Sequence, residues 1–225
     1  MRVVLGLLFF PSKSPHLAGF ATSNRYGAGL TTRLLGILLR LRGTKSQNWI
    51  VLGNIGHKKV RIRGRHRLLS EQRFSELIRW QLKVFGTNVE LFHLLHLAEM
   101  YSPDDVRRMI EFARVRNPGA SIGVSVGCAE AAERLLEVCD LDLIMVKPDD
   151  ARALANSLNS TSGQVVVRSA AEDLLWSMSG WDTEWAQRLG SFPATRIKGF
   201  VVRSSNVGHL FELEAALDAL LSQSR

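Results

Sequence analysis

Eight short runs rich in Val, Ile and Leu recur along the 225 residues, separated by longer stretches of helical period. This alternation restricts the fold more than any motif does. The runs are Val3–Phe9, Gly19–Ser23, Trp49–Asn54, Val89–His96, Ser121–Ser125, Leu141–Lys147, Gln164–Arg168 and Gly199–Arg203. Short apolar strands each followed by an amphipathic helix are the pattern of parallel βα units, whose sheet is covered by helices. Eight such units close a (β/α)8 barrel, and the length lies near the short end of the roughly 200 to 400 residues usual for that fold. The expected architecture is therefore a single α/β domain over 1–225, a (β/α)8 TIM barrel. One unit departs from the pattern: only Pro11–Ala18, interrupted by Pro11 and Pro15, separates the first two runs. The first βα connection is shortened and holds no full crossover helix.

Several helix starts are marked. Ser102-Pro103-Asp104-Asp105 offers a hydroxyl at the N-cap, proline at the first helical position and carboxylates at the positive end of the dipole. Ser70-Glu71-Gln72 predicts a second start, Asp149-Asp150 a third, and a last helix is expected over Val207–Leu221.

With 46% hydrophobic residues the chain can bury a large core. The opening MRVVLGLLFFP has the charge order of a signal peptide but no small-residue cleavage site after it, and no run reaches the ~18 apolar residues of a membrane span. Cys128 and Cys139 have no CxxC spacing, which suits a reducing cytoplasm and small apolar packing roles, and no metal-ligand pattern is present. Cytoplasmic location and no membrane contact are the expectations.

Charge is strongly asymmetric. The first 70 residues carry 13 Lys and Arg and no Asp or Glu, which leaves 16 basic and 21 acidic residues for the remainder. Much of the excess lies in HKKVRIRGRHR, His57–Arg67, directly after the third run. Such a segment concentrates anions around a barrel rim, or is simply a solvated loop. A nucleic-acid partner is not expected, because no aromatics interleave the charges for base stacking.

Three of the runs end on polar residues: FATSNRYG on Tyr26 and its neighbours, WIVLGNIG on Asn54, and TNVELFHLLH on His96. At the C-terminal ends of barrel strands such residues read as catalytic. His93, of opposite strand parity to His96, should face the helices.

In these segments the chain resembles the aldo-keto reductases, NADPH-dependent carbonyl reductases built on a (β/α)8 barrel, in the right order over nearly the whole length. The family pattern Asp-Thr-Ala-x-x-Tyr-Gly corresponds to a segment that keeps Tyr26 but has Ala21 for the aspartate. Thr-Lys-x-Gly corresponds to VLGNIG with Asn54 for the lysine, and Leu-Leu-His is kept through His96. The resemblance implies Tyr26, His96 and Asn54 as the catalytic group. A phenol titrates near ~10 and is brought toward working pH by a nearby cation, so Asn54, which supplies no charge, should leave Tyr26 a weaker acid-base group. Lys58 and Lys59 are the nearest replacement cations.

The resemblance also implies a cofactor site, and this too departs from the family. GVSV keeps Ser125 but has Val126 where an amide holds the nicotinamide, and Met145 replaces a glutamine. The signature for the adenosine 2′-phosphate reads RSSNVGHLFEL, in which Arg203, Ser204 and Glu212 match, His209 replaces an arginine and Leu213 replaces an asparagine. Lys58, Lys59, Lys147 and Arg168 are expected contacts for substrate anions, with Glu99 and Glu172 also beside strand ends.

Three functions follow. The leading expectation is non-redox acid-base chemistry, such as cyclisation, dehydration or isomerisation of a small organic molecule, by Tyr26, His96 and Asn54 with no cofactor required. The alternative is an NADPH-dependent carbonyl reductase with an atypical tetrad. The third is a non-catalytic barrel that binds a ligand or partner. The expected partner is a small molecule, anionic or delivered on an acidic carrier, and the oligomeric state stays open.

Overall fold

The computed structural model describes residues 3–5, 17–24, 29–41, 49–56, 68–87, 89–147, 150–151, 154, 164–168 and 197–202. Its strands are β1 (Val3–Leu5), β2 (Leu17–Ser23), β3 (Ile50–Ile55), β4 (Glu90–His96), β5 (Ser121–Ser125), β6 (Leu143–Val146), β7 (Gln164–Arg168) and β8 (Ile197–Val202). Neighbours in sequence pair in parallel, and β1 also pairs with β8, Val3 opposite Phe200. The result is a curled, all-parallel α/β sheet with helices on its convex side.

The helices are α1 (Leu30–Leu41), α2 (Glu71–Phe85), α3 (Pro103–Arg116) and α4 (Ala129–Leu136). The sequence located two of the starts. Ser70 Oγ accepts from Arg73 N at 3.2 Å and Ser102 Oγ from Asp105 N at 3.1 Å, with Pro103 at the first helical position. α4 is capped from a distance instead: Ala129 N donates to Asp150 Oδ1 at 3.1 Å. The Asp149-Asp150 start is thus half described, with Asp149 outside the described residues and Asp150 at a second task. The last expected helix, Val207–Leu221, and Pro11–His16 of the first connection also lie outside them.

Strand alternation divides the core. Leu52, Leu94, Leu143, Met145, Val166 and Val201 form one cluster on the concave side, with Ala21 against it. Ile55, Leu95, Ile122, Val124, Ile144 and Val165 belong to a second, larger cluster with Phe74, Ile78, Val106 and Ile110 of the helices. Residues i and i+2 therefore share a face, as the pleat requires. Some strand bounds differ from the sequence expectation: β2 begins two residues earlier, at Leu17, and β6 is shorter, Leu143–Val146. Leu141 is buried in the helix-facing cluster while Asp142 stays partly open and ties down its neighbours. Its Oδ2 accepts from Ile122 N at 2.8 Å and from Arg114 Nη2 at 3.0 Å. Cys139 is buried with burial pushing its thiol up to about 11, whereas Cys128 is only half-buried at the start of α4. Among the described residues no helix is long and apolar enough to cross a membrane.

Candidate functional site

The C-terminal ends of β2 to β6 gather polar side chains on the concave side. Hydrogen-bond register sets their heights: Ser23 is opposite Asn54, and Asn54 opposite Leu94. His96, two residues further along β4, is opposite Ser125, and Ser125 opposite Met145. Asn54, His96 and Ser125 have the same parity as Leu52, Leu94 and Gly123, so they continue the concave face upward from the apolar floor.

Two atoms of this group point to a ligand. Asn54 Oδ1 and Ser125 Oγ are buried and have no hydrogen-bond partner among the described residues. Leaving such groups unpaired costs about 1–3 kcal/mol each, so a bound molecule that bonds to them recovers that cost. Both atoms take a hydrogen bond from a donor, and the serine hydroxyl also donates. A carboxamide, a hydroxyl or a carbonyl with an adjacent donor answers this need.

Residues just beyond the strands hold the rim. Asn24 makes two bonds with one residue: Gly56 N donates to its Oδ1 at 3.0 Å and its Nδ2 donates to Gly56 O at 3.3 Å. Together with Asn24 N donating to Asn54 O at 3.3 Å, this joins the exit of β2 to the exit of β3. The hydroxyl of Thr22 meets that of Thr32 at 2.9 Å, and Thr32 Oγ1 donates to Ser23 O at 3.3 Å, which fixes β2 against α1. After β4, Leu97 adopts a left-handed conformation, φ 56°, unusual for a bulky residue. It turns the chain directly into a 3-10 turn at Ala98–Met100, and Glu99 comes to lie against the backbone of Gly127, just beyond Ser125.

His93 faces the helices, as its parity predicts. Its Nδ1 lies 2.7 Å from Gln81 Oε1 of α2; a carbonyl oxygen only accepts, so Nδ1 carries the proton. Burial pushes His93 down to about 4, which keeps it neutral. Gly53 makes room for this pair, since a Cβ there would stand 2.5 Å from Gln81 Oε1. Tyr101 is also committed elsewhere: its hydroxyl accepts from Leu69 N at 2.9 Å, inside the helix-facing cluster, and burial raises its phenol above the ordinary range.

Of the residues predicted from sequence, Asn54, His96 and Ser125 are brought together. Lys147 follows β6 and is exposed, and Arg168 ends β7 opposite Val201. Tyr26, Lys58, Lys59, Glu172, Arg203, Ser204, His209, Glu212 and Leu213 lie outside the described residues. Val126 sits in the helix-facing cluster, its N donating to Met145 O at 3.1 Å, and Met145 is part of the concave apolar cluster. Asn24 and Gln81 were not anticipated; the first follows TS in the FATSN run, a position suited to side-chain to backbone bonding, but its partner 32 residues away leaves no local trace.

No family model matches the sequence, and no curated protein matches it. Solved structures do. A Pseudomonas aeruginosa protein described as an aldo-keto reductase aligns with TM-score 0.67 and 17% identity over 92% of this chain and 78% of its own. The holo form of an aldo-keto reductase from Bacillus halodurans aligns at 0.64 and 16%, over 90% and 77%. The glycerol dehydrogenase of Gluconobacter oxydans aligns at 0.61 and 12%, over 92% and 79%. The chain therefore has the fold of the aldo-keto reductases. These structures correct the expectation that no cofactor is required: the Bacillus halodurans protein exists as a holo form and the Gluconobacter oxydans protein is a dehydrogenase. The non-redox reading loses its lead with that expectation.

Proposed function

We propose that this chain is an NADPH-dependent carbonyl reductase of the aldo-keto reductase type, a single (β/α)8 barrel domain over 1–225 with an atypical catalytic group. The observation that carries the reading is the pair of buried, unpartnered atoms Asn54 Oδ1 and Ser125 Oγ at the C-terminal ends of β3 and β5, with His96 opposite Ser125. The fit to a nicotinamide is through those atoms, since its carboxamide offers both a donor and an acceptor. Ser125 would hold the carboxamide, while Met145 opposite it adds apolar packing but no hydrogen bond. Arg203, Ser204 and His209 would hold the adenosine 2′-phosphate, and Glu212, which only accepts, would take an amino or hydroxyl donor of the adenosine. When bound, NADPH supplies the hydride.

The chain's own residues do the rest. His96 orients the carbonyl oxygen by a hydrogen bond at the mouth of the concave face, and Tyr26 delivers the proton to that oxygen. Asn54 stands where a cation would favour the phenolate and supplies no charge, so Tyr26 is a weaker acid-base group. Lys58, Lys59, Lys147 and Arg168 would favour an anionic substrate, or one presented on an acidic carrier.

NADPH titration read by tryptophan fluorescence tests the reading, followed by cofactor oxidation with a panel of aldehydes and ketones. Saturable quenching and turnover with at least one carbonyl are expected, and Ser125→Ala should weaken NADPH binding roughly tenfold, the value of one hydrogen bond at about 1.4 kcal/mol. An absence of binding, or binding with no turnover across the panel, refutes it.

A further inference from the structure

The outer surface of α1 carries an apolar stripe that nothing in the described structure covers. Leu30, Leu34, Ile37, Leu38 and Leu41 are 58, 44, 52, 36 and 79% exposed. They leave roughly 500 Å² of apolar side chain open, within the size range at which a patch on a monomer is often functional. α1 cannot roll to hide them. Its opposite face is already seated through Thr32, Gly36 and Leu39, with Gly36 so close to Val84 that a Cβ would stand 2.6 Å from the Val84 carbonyl oxygen. Arg40 fastens the same helix by donating to the carbonyls of Lys83 and Val84 at the end of α2.

The stripe has an internal order. Leu30, Leu34, Ile37 and Leu41 are spaced four, three and four apart, the seam of a helix that packs on another helix. The set is also symmetric about the point between Leu35 and Gly36: reversing the helix exchanges Leu30 with Leu41 and Leu34 with Ile37. A two-fold dimer requires this self-complementarity. In the antiparallel register Arg33 falls opposite Leu38, and Arg40 opposite Thr31, so no arginine meets its counterpart. A parallel pairing would set Arg33 beside Arg33.

We propose that α1 is a homodimer interface, in which two copies of this chain pack antiparallel through Leu30, Leu34, Ile37 and Leu41. The two stripes, Leu38 included, expose about 1,000 Å² together, the lower bound for a specific protein interface once all of it is buried. Such a dimer would be weak to moderate in affinity and concentration-dependent.

Sedimentation velocity over a concentration series tests this on the full chain, with register read by cross-linking in a Cys128→Ser background. The expected result is a species of twice the 25.1 kDa chain mass that dissociates on dilution. Leu34→Lys with Ile37→Lys should be monomeric with an unchanged thermal unfolding profile, since both sites are exposed. Mixing Leu30→Cys with Leu41→Cys protein should yield a disulfide-linked pair, with little linkage in either protein alone, because the antiparallel register sets like positions about 16 Å apart. A monomeric wild type at high micromolar concentration, a dimer that survives the double lysine change, or cross-linking of Leu30→Cys to itself each overturns the proposal. A monomer that instead binds vesicles of anionic phospholipid would also overturn it and assign the stripe to a membrane surface.

Discussion

Acidification probes the buried pair between β4 and α2. His93 is held neutral by burial, at about 4 against an ordinary 6.5, a difference of about 2.5 pH units. At 1.36 kcal/mol per unit this is worth about 3 kcal/mol. The sign follows from proton counting: between pH 6.5 and 4 the unfolded chain protonates this histidine and the folded chain does not. Stability from this group is therefore complete above pH 6.5 and lost as pH falls, by about 2 kcal/mol at pH 5 and about 3 kcal/mol at pH 4. Urea unfolding at pH 7, 6, 5 and 4 measures it, with His93→Gln as the reference because it cannot titrate. The exposed carboxylates of Glu76, Asp105 and Glu130, all lowered by hydrogen bonds, also lose their contributions in acid, but equally in both proteins. Subtracting the variant leaves His93. Parallel pH profiles for wild type and variant would refute the reasoning, and would mean that the imidazole reaches water.

Other substitutions test other contacts. Gly53→Ala places a methyl 2.5 Å from Gln81 Oε1 and should destabilise the protein by about 1–3 kcal/mol in urea unfolding. Asn24→Ala releases Gly56 from both bonds and should cost about 1–3 kcal/mol, with a larger loss of turnover than of NADPH affinity. Asp150→Ala removes the distant cap of α4 and should lower stability by about 1 kcal/mol while leaving the exits of β3 and β4 unaltered. His96→Ala should reduce carbonyl turnover at least tenfold while NADPH binding, read by tryptophan fluorescence, is retained.

The apolar runs made the α/β class and the order of strands legible, because β and α periods are local properties of a few residues. The same locality explains why the starts at Ser70 and Ser102 could be read: a cap acts within three residues. Parity alone separated His96 from His93. Tertiary structure decided what depends on register and on distant partners. Only it shows that His96 stands level with Ser125 and two residues above Asn54, that Gln81 is the partner of His93, and that Asn24 grips Gly56. Among the described residues it alone leaves one side of α1 uncovered, as the packing of Gly36 on Val84 shows which face of the helix turns inward. Periodicity tells which side chains share a face; which neighbour that face meets is set by contacts between elements far apart in the chain.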